Sequence, residues 1–169
     1  MGQPLLAEGT VTLISDYLQA NFAAALAAVS AARPDNLTPL EEPRSYFIYP
    51  RSSAYEAPAV FIICEDFDHE PESGQNFIKA KATVIVSIVA EERTQKELTY
   101  KTWRYQTAIF DMLNLLDLED PSLRLKLHVI IKRQLFSDMF IAKSETDETE
   151  NVFRKEVTFE LEVVHQEQF

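Results

Sequence analysis

The residues of this 169-residue chain whose types could do chemistry fall into two acidic clusters and one pair of lysines. Asp66, Asp68, His69 and Glu70 crowd one stretch, and Glu145, Asp147, Glu148 and Glu150 crowd another. Carboxylates at that density could hold a divalent cation through oxygen ligands. Neither stretch combines the glycine of a calcium loop's sharp turn with its closing glutamate, so both are expected to be solvated acidic loops and no metal site is expected. A metal-dependent hydrolase would use Asp66, Asp68 and His69, with a lysine stabilising developing charge. Lys79 and Lys81 follow, but the Glu-x-Lys pattern of metal-dependent nucleases is missing, and alternating lysines are the ordinary solvent side of a strand. His128 and His165 carry no signature pairing them with a nucleophile. Cys64 closes an apolar run and is expected to be a small core residue. No catalytic residue and no cofactor site is expected.

The elements that must position these residues are plainer. From Phe77 to Val89 the chain alternates: Ile78, Ala80, Ala82, Val84, Val86 and Ile88 on one face, Phe77, Lys79, Lys81, Thr83 and Ser87 on the other. That period of two predicts a half-buried strand. Across a charged turn the pattern becomes helical until Leu116, with Leu98, Thr102, Tyr105, Ile109, Met112 and Leu116 in one stripe. Thr94 and Glu97 form a capping box at its start. An earlier helix, capped by Thr10 and ending before Pro34, carries the stripe Ile14, Leu18, Phe22, Leu26 and Val29. Residues 1 to 9 are expected to be flexible.

Tyr46 to Tyr49 predicts a short strand, and the apolar run from Pro58 to Cys64 a strand covered on both faces. Residues 65 to 76 read as a surface hairpin loop. Asp117 to Ser122 should end the second helix. Leu125, Leu127, Val129 and Ile131 alternate with polar residues, as do Val157, Phe159, Leu161 and Val163, and the acidic hairpin loop at 144 to 151 lies between these strands. The expectation is one α+β domain over residues 1 to 169, with a mainly antiparallel sheet of four to five strands and two helices packed on one face. The Pro-rich segment from Arg33 to Ala57 is either an ordered arm reaching a neighbour or a surface loop.

Composition limits the function. The apolar fraction of 46% and charged fraction of 25% are those of an ordinary globular domain. A net charge of −11 disfavours gripping nucleic acid through its phosphates. A single cysteine permits no internal disulfide. No window reaches the roughly 18 consecutive apolar residues of a membrane span, so no membrane partner is expected. Ile85, Val89, Trp103 and Phe110 add more apolar surface than one sheet face and two helices need. Either the second helix is buried on two sides within the domain, or these four residues mark a subunit interface.

The order of a helix ending in Ala-rich sequence, a strand pair, the long strand from Phe77 to Val89, a Glu/Arg-rich turn, the helix with Tyr105, Ala108 and Ile109, and a closing hairpin resembles the tail terminator (tail completion) proteins of long-tailed bacteriophages and prophages. Other neck and head-tail connector proteins share that layout. The resemblance implies a non-enzymatic virion protein, made in the bacterial cytoplasm, that forms a ring, typically a hexamer. Its implied partners are the tail tube protein and the neck or head connector protein, and DNA would pass through without specific binding. Glu145, Asp147, Glu148 and Glu150 would then be candidates for a channel-facing or partner-facing loop, because like charge lets DNA slide. An alternative from the residues themselves is a module binding a basic partner through its acidic loops.

Overall fold

The computed structural model describes residues 6–33, 40–49, 55–69, 77–122, 125–143 and 151–168. Two helices, α1 (Leu6–Ala32) and α2 (Gln95–Leu113), accompany seven strands: β1 (Ser45–Phe47), β2 (Ala59–His69), β3 (Phe77–Glu92), β4 (Leu116–Asp120), β5 (Leu125–Phe136), β6 (Phe140–Lys143) and β7 (Asn151–Gln168). The sheet order is β1-β2-β3-β7-β5-β4, with β6 also paired to β7. Every pairing is antiparallel except β1 with β2. The class is therefore the expected α+β, with seven strands among the described residues in place of four or five.

The alternation in β3 and β7 places the core. Ala80, Ala82, Val84, Val86, Ile88 and Ala90 of β3 and Val157, Phe159, Leu161 and Val163 of β7 are all buried. They pack with Val60 and Ile62 of β2 and Leu125, Leu127 and Val129 of β5 beneath both helices. From α1 come Ile14, Leu18, Phe22, Leu26 and Val29, and from α2 Leu98, Tyr105, Ile109 and Met112. Both predicted stripes thus meet one sheet face, where burial of apolar area supplies the main driving force. A second, smaller cluster of Tyr55, Ala59, Phe61 and Val89, with Phe47 against it, lies on the opposite face. Since the buried residues of β2 divide between the two clusters, its apolar run is covered on both sides.

Several boundaries differ from expectation for local reasons. Helix α1 begins at Leu6, so Thr10 is a buried residue inside the helix instead of its cap, and residues 6 to 9 are helical. Strand β2 continues through Glu65 to His69, so these acidic residues lie on a strand and not in a loop. Helix α2 stops at Leu113 because the Asn114 N–H closes the last turn on the Phe110 carbonyl at 2.9 Å and Leu115 turns left-handed at φ 56°. A non-glycine residue there costs roughly 1 kcal/mol. The reversal sends Leu116 into β4, a strand over the residues expected only to end the helix.

Candidate interaction surfaces

The acidic residues of β2 are arranged by a bulge. Register between β2 and β3 shifts between Cys64 and Asp66, so Glu65 is the extra residue. The Asp66 Oδ1 accepts a hydrogen bond from the Thr83 N–H at 3.3 Å. A bulge disrupts the ladder locally, and a short acidic side chain beside it can take up a backbone donor. Asp68 and His69 face Lys81 and Ala80 across the same ladder. Among the described residues no group of three His, Cys, Asp or Glu side chains is gathered as metal ligands. Glu70, Glu145, Asp147, Glu148 and Glu150 lie outside the described residues.

Cys64 and His128 are tied into the fold. The Cys64 thiol is half-buried; burial pushes its pKa up, and the Asp66 carboxylate adds to the rise. A raised thiol is poor in thiolate, the form that attacks electrophiles or binds metals. His128 on β5 sits opposite Asp117 on β4, with Nδ1 and Oδ1 2.7 Å apart. Lysines 79 and 81 are exposed on the outer face of β3.

The four candidate interface residues do not form one patch. Val89 is fully buried beneath Tyr55 and Phe61, so its own chain covers it. The segment bearing Tyr55 carried no period that predicted this lid. Ile85 is half-buried on the outer sheet face, and Phe110 is half-buried against the main core. Only Trp103 stands out from the surface, at 50% exposure.

Trp103 contacts Tyr100 edge to face, with ring centroids 5.6 Å apart, and the Arg104 guanidinium lies 6.0 Å from the Tyr100 ring. Together they form one wall of a groove of about 500 Å³ between the helices. Ala28, Val29 and Ala32 of α1 line the other side, with Arg33 at the end of that helix. The small residues of α1 thus have a geometric role: without larger side chains there, the helices leave a trough beside the tryptophan.

Further exposed apolar side chains stand on the strands, Leu135 and Phe140 on the outer face and Phe136 and Ile141 on the face of the helices. Leu135, Phe136, Phe140 and Ile141 are all exposed, at 45%, 44%, 38% and 64%. Alternation in β5 fails at a bulge between Ile131 and Arg133, which reverses the faces of the residues beyond it. Gln134 then points to the helices and bonds to Gln106 of α2, while Leu135 stays outside. The adjacent isoleucines at 130 and 131 are the sequence signal that could have flagged the shift.

A polar network fixes the described residues between Leu40 and Pro58 to the body of the fold. The Tyr105 hydroxyl donates to the Glu41 carbonyl at 2.5 Å, and burial pushes the Tyr105 pKa far up. Lys101 of α2 pairs with Glu92 at the end of β3, both side chains largely buried. Arg154 of β7 pairs with Glu91 at 2.8 Å and lies 5.0 Å from the Tyr55 ring. The described parts of the Arg33-to-Ala57 segment are therefore tied to their own domain.

No family model matches the chain, and no curated protein matches it. Among solved structures, a chain of the virion of a native gene transfer agent particle aligns over 90% of this chain and 92% of its own length, at 14% identity and a TM-score of 0.38. A likeness of that degree assigns no function.

Proposed function

We propose that the chain is a non-enzymatic structural protein of a phage-type virion, a tail terminator or an adjacent neck ring. In this reading it assembles as a ring, a hexamer by analogy, on the last ring of tail tube subunits, stops tube growth and presents a docking face to the head connector. The layout that carried the resemblance supports it: a long helix, a strand pair, the 16-residue β3, the capped α2 and a closing hairpin.

The observation that carries the reading furthest is apolar surface exposed both on the helix layer and on the strands. Tyr100 and Trp103 lie on the helix layer, and Leu135, Phe136, Phe140 and Ile141 lie on the strands. A ring of identical subunits needs two different complementary patches on each copy, and a capping ring needs a further face for its partner. Exposed aromatic and aliphatic clusters are the surfaces on which association energy concentrates.

The test is a tube-growth assay with a purified phage tail tube protein that polymerises on its own. Added at one ring per tube end, the protein should halt elongation and appear in electron micrographs as a cap. A Trp103→Asp variant should leave tubes uncapped. Unchanged elongation with the intact protein, at any ratio, would overturn the proposal.

A further inference from the structure

We infer that copies of this chain join edge to edge, the open outer edge of β5 in one copy pairing antiparallel with the open outer edge of β2 in the next. The inference rests on the reading above that the protein acts as a ring of identical subunits, and it names the contact that closes that ring.

Among the described residues both ends of the sheet are unfinished. Strand β1 covers only Ala59 to Phe61 of β2, so the outer side of β2 from Ile62 to His69 has no strand beside it among the described residues. Strand β4 covers only Leu125 to Val129 of β5, which leaves Ile130 to Phe136 open in the same way. Each open stretch presents backbone N–H and C=O groups that an added strand can pair.

The registers put Ile62 to Asp66 of β2 level with Ile130 to Gln134 of β5. One row across the sheet runs Ile62, Val86, Phe159, Gln134, and the next on that face runs Cys64, Val84, Leu161, Ile131. Between them lies the row Ile63, Ile85, Glu160, Arg133. Strand β2 is antiparallel to β3, β3 to β7, and β7 to β5, so β2 and β5 run in opposite directions. A second copy laid alongside in the same orientation therefore brings an antiparallel β2 to β5, with Ile62 to Asp66 of one copy level with Ile130 to Gln134 of the other.

Charge selects this pairing over its alternatives. The β2 edge carries exposed Glu65, Asp66 and Asp68, whereas the β5 edge carries exposed Lys132 and Arg133 in a chain of net charge −11. Lys132 reaches Glu162 of its own sheet at 3.6 Å, and Arg133 has no ion pair among the described residues. Like charges facing each other destabilise a ladder, so β2 against β2 and β5 against β5 are disfavoured. Each edge also bulges, between Cys64 and Asp66 and between Ile131 and Arg133, and bulges discourage pairing with an arbitrary strand. The contact is heterologous, which is the kind that generates rings.

The test places cysteines in the shared outer row. In a Cys64→Ser background, Ile63→Cys and Arg133→Cys in one chain should give, on mild oxidation of the assembled protein, a ladder of multimers that a thiol reductant collapses. Either cysteine alone should give no ladder. Independently, Arg133→Glu should abolish the assembled species in sedimentation, and adding Glu65→Arg should restore it. Assembly at wild-type mass without a ladder, and insensitive to Arg133→Glu, overturns the edge contact and leaves the ring reading standing. A chain that stays monomeric with and without tail tubes overturns both.

Discussion

At the scale of single residues, the polar groups that matter most in this chain hold the fold together. Glu92 illustrates the balance. Burial alone would raise its carboxyl pKa, but the hydrogen bond and charge of Lys101 outweigh that and hold it below the ordinary value of 4.5. A carboxylate whose folded value is depressed contributes stability that is fully present above its unfolded value and is lost as pH falls through the folded one. Replacing Glu92 by Gln leaves a largely buried ammonium without its counter-charge, which should cost about 3 kcal/mol at pH 7. In urea titrations the gap between the parent and Glu92→Gln should narrow as pH drops below about 4.5; a gap that stays constant from pH 7 to pH 3 would refute the assignment. Thr10 shows the opposite economy. It is an expected cap that the helix overran, leaving its hydroxyl buried without a partner among the described residues.

At the scale of elements, the break between β5 and β6 is the clearest device. Both strands lie along the same side of β7, β5 on residues 157 to 167 and β6 on residues 151 to 154. Ser137 bridges the interruption. Its N–H donates to the Glu156 carbonyl, its hydroxyl accepts from the Glu156 N–H, and both bonds are 2.9 Å long. The same hydroxyl donates to the Asp138 carbonyl at 2.9 Å. Ser137→Ala should lower global stability by about 1 kcal/mol, the usual net worth of such a bond. It should also raise hydrogen exchange at Glu156 and along β6 while leaving β3 protected. Equal acceleration throughout the sheet would mean that the serine has no local role. The edges behave differently from this internal seam, because bulges and charges limit what can add to them.

At the scale of the whole molecule, one sheet face is sealed by both helices, and among the described residues the other is covered only in part, by Tyr55 and its neighbours. Core and surface aromatics should separate in mutation. Phe22, fully buried among Tyr46 and Tyr105, contributes to stability, and a truncation there should cost about 3–5 kcal/mol. Trp103, half-exposed beside the groove, should change monomer stability by no more than about 0.5 kcal/mol when replaced by Ala. Loss of partner binding at unchanged melting temperature is the signature of a surface residue, and a large drop in melting temperature for Trp103→Ala would assign it to the core instead.

What depends on local period and local chemistry could be read directly from the residues. The stripes of α1 and α2, the alternation of β3 and β7 and the Thr94 cap, whose hydroxyl accepts the Glu97 N–H at 3.3 Å, are all written within a few turns of chain. What depends on distant partners was not legible. Whether Val89 is surplus or core was decided by Tyr55, which lies 34 positions away by number and carries no pattern. The acidic run at Glu65 became strand because β3 continued opposite it, since a ladder is completed by its neighbour and not by composition. The open edges appear only once strand lengths are compared across the sheet. Period fixes which side of an element is apolar; only the packing of all elements together decides which apolar surface remains uncovered.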